Sequence, residues 1–150
     1  MKNALAIPPP APPAADGSGV PGGPMRLPDD VSAEIRGNLL RSVVDPQVAV
    51  RRVASSAVSA SCVASAAGEG RESLPLSRWP ELLPFLLGCV ESASAEVAAG
   101  RPLSAEAAAA MDGSLLTLRK VLEDAPAQFE RESGPAFATR LVPALLTCLS

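Results

Sequence analysis

Two stretches of this chain are versions of one phrase: "SRWPELLPFLLGCVES" at residues 77 to 92 and "TRLVPALLTCLS" at residues 139 to 150. Laying Pro84 on Pro143, an offset of 59 residues, places Leu83 on Val142, Leu86 and Leu87 on Leu145 and Leu146, Cys89 on Cys148, and Val90 on Leu149. A fainter copy, "IRGNLLRSV", sets Leu39, Leu40, Ser42 and Val43 on Leu86, Leu87, Cys89 and Val90, an offset of 47. A chain that reuses one apolar helical phrase must bury each copy against its neighbours. Periods of roughly 40 to 47 residues belong to solenoids of two- or three-helix units. The longer interval contains an Ala, Gly and Pro stretch that reads as an inserted loop.

The pass along the chain supports helices only. Residues 8 to 28, "PPPAPPAADGSGVPGGPMRLP", hold almost no large apolar side chains. Nothing there offsets the entropy of ordering the backbone, so residues 1 to 27 are expected to be a disordered Pro/Gly-rich segment. Its PxxP spacing, Pro9 to Pro12, fits an aromatic groove in principle, although a surface insertion without a ligand is the plainer reading. Order is expected over residues 28 to 150, as about two and a half helical hairpins. Asp29 or Asp30 is placed to cap a first helix whose stripe is Ile35, Leu39, Leu40 and Val43, and Asp45-Pro46 forms a sharp corner.

The second helix begins at Pro46 and carries Val50, Val53, Ala54, Ala57 and Ala64 near one face, with Arg52, Ser55 and Ser59 pointing elsewhere. After the break "GEGRESLPLSR", a third helix has Pro80 near its start, Pro84 within the first turn or so, and Leu83, Leu86, Leu87 and Val90 on its buried side. The stretch "SASAEVAAGRP" reads as a loop. Residues 103 to 124 show the cleanest period, with Ala108, Met111, Leu115, Leu118 and Leu122 on one helix face. Gly113 weakens that helix by about 1 kcal/mol relative to Ala, which packing must offset. A last helix from about Ala138 to Leu149 restarts the opening phrase. No period-2 alternation survives anywhere, so the fold class expected is all-α.

Composition narrows the chemistry. The chain has no histidine and no tyrosine, three cysteines and a net charge of -3. Without His there is no Ser-His or Cys-His pair, no imidazole base and no His metal ligand. Cys62, Cys89 and Cys148 are too widely spaced for a CxxC clamp, and their odd number argues for a reducing intracellular compartment. No cofactor, catalytic residue or metal site is expected. The doublet Arg51 and Arg52 is not the cationic stripe that phosphate neutralisation needs, so no nucleic acid partner is expected. Pro8 to Pro10 interrupt the N-terminal apolar run before a signal-peptide core forms. The uncharged run Val53 to Gly68 is mostly Ala and Ser and falls short of the roughly 20 apolar residues of a membrane span, so no membrane insertion is expected.

The corner "VVDPQVAVRRVA" resembles the HEAT-repeat signature, with Asp45 at the turn and Val50 and Arg51 five and six residues on. The resemblance implies that Asp45 and Arg51 belong to a structural ladder between successive repeats. A more specific likeness is to the transportin-like receptors of the importin-beta (karyopherin-beta) superfamily. Trp79 to Pro84 resembles a "WPDLLP" helix start, and "LRKVLEDAPAQF", Leu118 to Phe129, resembles an "LQKICEDSAEIL" helix end. "MKN" is similar to an "LKN" phrase closing the first repeat of that family. The "RA" that follows the family's turn is shifted here, to Arg51 through Ala54.

The resemblance covers most of residues 29 to 150 and implies a HEAT-repeat solenoid cut from the N-terminal arch of a nuclear import receptor. It implies the GTP form of the small GTPase Ran as partner, nucleoporins as further partners, cargo held only by C-terminal repeats that this sequence lacks, and shuttling between cytoplasm and nucleus. The candidate Ran-contacting residues are Arg52, Ser55, Ser59, Thr117, Lys120 and Asp124, all expected to face outward. Trp79 is expected to anchor packing between hairpins rather than to meet Phe-Gly repeats. The rival reading is a HEAT-repeat scaffold or adaptor of a phosphatase or kinase complex. An enzyme built on Asp112, Glu123 and Asp124 is disfavoured, because no glycine loop, ligand cluster or partner base lies near them. The last helix is expected to leave Leu141, Leu145 and Leu149 uncovered and so to promote self-association.

Overall fold

A computed structural model describes residues 28 to 63 and 76 to 149, and both the proposed disordered segment 1 to 27 and most of the break "GEGRESLPLSR" lie outside the described residues. The described residues form five helices and no strand: α1 (Asp29–Val43), α2 (Val48–Val63), α3 (Leu82–Ala98), α4 (Ala105–Asp124) and α5 (Pro126–Leu149), with a 3₁₀ turn, Leu76–Arg78, ahead of α3. The all-α expectation holds.

Local chemistry explains the breaks. Pro28 stands at the N-cap of α1, its carbonyl accepting from Ser32 N–H at 2.9 Å. Asp29 and Asp30 therefore occupy the first turn rather than the cap, where carboxylates still favour the positive end of the helix. At the α1-α2 corner, Asp45 Oδ1 accepts from Gln47 N–H at 2.8 Å, so its side chain caps the entry to α2. Ser104 caps α4 by accepting from Ala107 N–H. Pro84 is the third residue of α3, as its position demands. The stretch 92 to 98, read as loop, continues α3 to Ala98, because Ala93 and Ser94 are buried and hold it down.

The helix α5 starts well before the expected Ala138. It has a break at Gly134, whose φ of 62° and ψ of 172° lie outside the range open to L side chains, and Pro135 opens the second half. This changes the meaning of the repeated phrase. Pro84 sits in a first turn, whereas Pro143 lies eight residues beyond Pro135 inside the helix. The two prolines match in sequence and differ in helical position.

The principal contacts pair α1 with α2, α3 with α4, α2 with α4, and α3 with α5; none of them joins α1 or α2 to α5. One contiguous core runs through Val43, Val58, Cys62, Leu76, Trp79, Leu82, Leu86, Leu118, Val121 and Phe137. Leu83, Leu86, Leu87 and Val90 are all buried as expected, each contributing about 1.5 to 3 kcal/mol. Trp79, 1% exposed, is a core residue, in keeping with its expected role as anchor. Phe129 meets Phe137 edge to face at 5.4 Å, tying the two halves of α5 across the Gly134 break.

The expected faces of α2 and α4 are corrected in part, and that of α1 holds except at Ile35. On α2 the buried residues are Arg51, Ala54, Ser55, Val58, Ser59 and Cys62, while Val53 is 70% exposed. On α4 the buried residues are Gly113, Ser114, Thr117, Leu118 and Val121, and Leu122 is 44% exposed. On α1 only Val43 of the apolar stripe is fully buried; Leu39 and Leu40 pack partly and Ile35 is exposed. On α2 and α4 small and hydroxyl-bearing residues thus share the buried face with Val58, Leu118 and Val121. Part of the reason is space: Gly113 has no side chain where α4 meets the Val43 carbonyl at the end of α1 and the Arg51 side chain of α2.

Candidate functional site

The α2-α4 seam concentrates the polar chemistry of the described structure. Its charged member is Arg51, which is buried. Nε and one terminal nitrogen donate to Asp112 Oδ2 at 3.0 and 2.8 Å. The other terminal nitrogen donates to the carbonyl oxygens of Asp45 and Pro46 at 2.8 and 2.9 Å. One guanidinium thus satisfies two carbonyls at the α1-α2 corner and reaches across to α4. A planar fork of donors suits this position, whereas an ammonium would not span it.

Below it the seam continues as hydroxyl chemistry. Thr117 Oγ1 lies 2.8 Å from Ser55 Oγ and 2.7 Å from Gly113 O of its own helix, so its single proton is shared between the two. Ser55 Oγ bonds back to Arg51 O. Ser59 Oγ lies 2.5 Å from Asp124 Oδ2 and 3.2 Å from Lys120 O. Gln128, on α5, closes the series: its amide nitrogen donates to Cys62 O at 2.9 Å and its oxygen accepts from Leu76 N–H at 3.4 Å. Partners across the seam lie 61 to 65 residues apart in order along both helices, so α2 and α4 run parallel.

The expected site residues are therefore split. Ser55, Ser59 and Thr117 do not face outward: they are 0%, 1% and 0% exposed and bond within the seam. Their hydroxyls are engaged in α2-α4 packing. Arg52 is exposed, Lys120 is half-buried, and Asp124 is exposed with one carboxylate oxygen accepting from Ser59. Of the expected ladder pair, Arg51 bridges the two hairpins, while Asp45 contributes its carbonyl to Arg51 and its side chain to the corner.

The three carboxylates weighed for catalysis are all engaged: Asp112 by Arg51, Glu123 by Arg119 at 2.8 Å, and Asp124 by Ser59. No group of three metal-ligating side chains forms among the described residues, and no described helix is long and apolar enough to cross a membrane. Burial pushes the Cys62 thiol up from 9.0 to about 11. On the surface, Arg140 makes a forked pair with Glu91 at 2.8 and 2.7 Å that joins α5 to α3 and holds its guanidinium above its ordinary range.

Sequence reasoning missed Asp112 as the partner of Arg51 and missed Gln128 altogether. No local spacing marks either, because both bonds span more than 50 residues. Comparison with protein-family models, curated proteins and solved structures finds no match to this chain.

Proposed function

We propose that the chain is part of the N-terminal arch of a transportin-like import receptor, built as a HEAT-repeat solenoid and contributing to the binding of Ran in its GTP form. The observation that carries the reading is the Arg51-Asp112 rung: an Arg placed six residues after the corner Asp45 links one hairpin to the next. The packing pattern supports it too. Hairpins α1-α2 and α3-α4 stack through α2 on α4, and α3 stacks on α5, with no principal contact closing the ends. A scheme dominated by contacts between neighbouring helices supports the solenoid reading.

In this reading the seam hydroxyls set the pitch of the stack, and the solvent side of α2 and α4 meets the GTPase. Arg52 and Lys120 supply charge there, and Asp124 contributes its second carboxylate oxygen. GTPase binding at this arch shifts the curvature of a flexible stack, which couples it to cargo held elsewhere. The test is capture of the chain on immobilised Ran loaded with a non-hydrolysable GTP analogue or with GDP. The reading expects retention on the GTP form alone and a loss of at least several-fold with Arg52→Glu. Equal retention on both forms, or on neither, overturns it.

A further inference from the structure

The repeated phrase has one covered copy and one bare copy. In α3, Leu83, Pro84 and Leu87 form one wall of a crevice of about 160 Å³, and Ala136, Phe137 and Arg140 of α5 stand on the other. Leu83 and Leu87 are buried there, Val90 is buried one turn on, and Phe137 belongs to the same core. In α5 the matching residues are Val142, Pro143, Leu146 and Leu149. They follow one another at the same intervals as Leu83, Pro84, Leu87 and Val90, and so share one side of their helix in the same way. All four are exposed.

We propose that this outer face of α5 is a docking site for an amphipathic helix of a partner protein, one that presents a small side chain followed by an aromatic one. Three observations select this occupant. The first is continuity with an interface already in the molecule: the bare face repeats the α3 surface that Ala136 and Phe137 cover. A helix laid into such a groove is read through its apolar anchors, and an aromatic ring supplies the largest of them. The second is charge. Arg140 is the only charged residue between 138 and 150, and its guanidinium is already held by Glu91. A neutral, apolar helix face is therefore the complement, and a charged one is not. The third is availability. A second copy of the chain offers only the same aliphatic stripe, since its own Phe137 is buried beside Leu83 and Leu87.

The proposal does not depend on the transport reading, because it rests on the repeated phrase and the way its first copy is covered. It is tested on the full chain with a fluorescein-labelled peptide of residues 133 to 147, which carries the Ala136-Phe137 pair. In the peptide, Val142→Lys and Leu146→Asp are joined by a side-chain lactam that holds it helical and removes its own stripe. Fluorescence anisotropy is expected to show saturable binding at micromolar chain. Binding should weaken at least five-fold with Phe137→Ala in the peptide, and at least five-fold with Val142→Gln, Leu146→Gln in the chain. Far-ultraviolet circular dichroism confirms that the chain variant keeps its helices. No binding, or binding indifferent to Phe137→Ala, overturns the proposal. So does binding that the chain variant leaves unchanged, which would mean that the peptide displaces the chain's own α5 from α3.

Discussion

Gly113 of α4 lies directly beneath the carbonyl oxygen of Val43 at the end of α1, so closely that a Cβ at 113 would overlap that oxygen. The same Cβ would stand 2.9 Å from Cδ of Arg51. The glycine costs helix propensity and is kept for space. Gly113→Ala should therefore destabilise the protein, although alanine favours the helix by about 1 kcal/mol. Backbone overlap of this kind costs about 1 to 3 kcal/mol beyond that gain. Urea unfolding followed by circular dichroism measures the difference; a variant as stable as the parent would show that α4 can move away from the corner freely.

Arg51 and Asp112 should contribute unequally, because their surroundings differ. The Arg51 side chain is 7% exposed and also donates to two corner carbonyls, while that of Asp112 is 58% exposed and can turn to water. Arg51→Ala is expected to cost about 2 to 4 kcal/mol, from lost charge-assisted bonds and stranded corner carbonyls. Asp112→Ala should cost less, about 1 to 3 kcal/mol, because the Arg51 charge it leaves behind stays buried but keeps its bonds to the two corner carbonyls. Equal losses in chemical denaturation would mean that the corner carbonyls find other donors.

The helices were legible because their stops are chemical: Asp45-Pro46, Pro80 and the period of residues 103 to 124 act locally. The buried faces of α2 and α4 were not. A hydrophobic stripe reports which side of a helix prefers to leave water, and it favoured Val50 and Val53 over Ser55 and Ser59. The structure chooses the serines because each hydroxyl finds an acceptor within one helix turn or directly across the seam, removing most of the cost of burying it. Those acceptors lie partly on α4 and are not visible from one helix alone. The expected outward direction of Ser55, Ser59 and Thr117 fails for the same reason, since a polar side chain with a partner across the seam has no need of water.

Cys62 should be the slow thiol of the three. It is fully buried and its ionisation is pushed up to about 11, whereas Cys89 and Cys148 are partly exposed. Alkylation with iodoacetamide near neutral pH, followed by mass spectrometry, is expected to modify Cys89 and Cys148 well before Cys62. The unfolded thiol ionises near 9.0 and the folded one near 11, so the unfolded state binds fewer protons between these values. Stability should fall as pH rises through that window. Cys62→Ala should reduce this slope, and labelling of Cys62 as fast as Cys89 would contradict its burial.

Gln128 ties Cys62 O at the end of α2 to Leu76 N–H at the start of the turn before α3. Its amide is the only described group bonded to both, so it fixes how far apart the two hairpins enter and leave. Gln128→Ala leaves two backbone groups without this partner and should cost about 1 to 3 kcal/mol. Gln128→Glu should recover little, because a carboxylate cannot donate to Cys62 O. Full recovery by Glu would show that only the bond to Leu76 matters.

The outer face of α5 sets the solution behaviour of the chain. Leu141 and Leu145, expected to be bare, are half-buried, while Val142, Leu146 and Leu149 are 53%, 62% and 84% exposed. Steps of four and three place these three residues on one stripe. An apolar stripe of this size, facing water with nothing described upon it, favours association. Sedimentation velocity is expected to show species larger than one chain at tens of micromolar. The double variant Val142→Lys, Leu146→Lys should shift the distribution to the single chain with its helical content intact, because neither side chain belongs to the buried core. A parent chain that stays single across a hundred-fold concentration range, or a variant that associates equally well, would place the driving surface elsewhere.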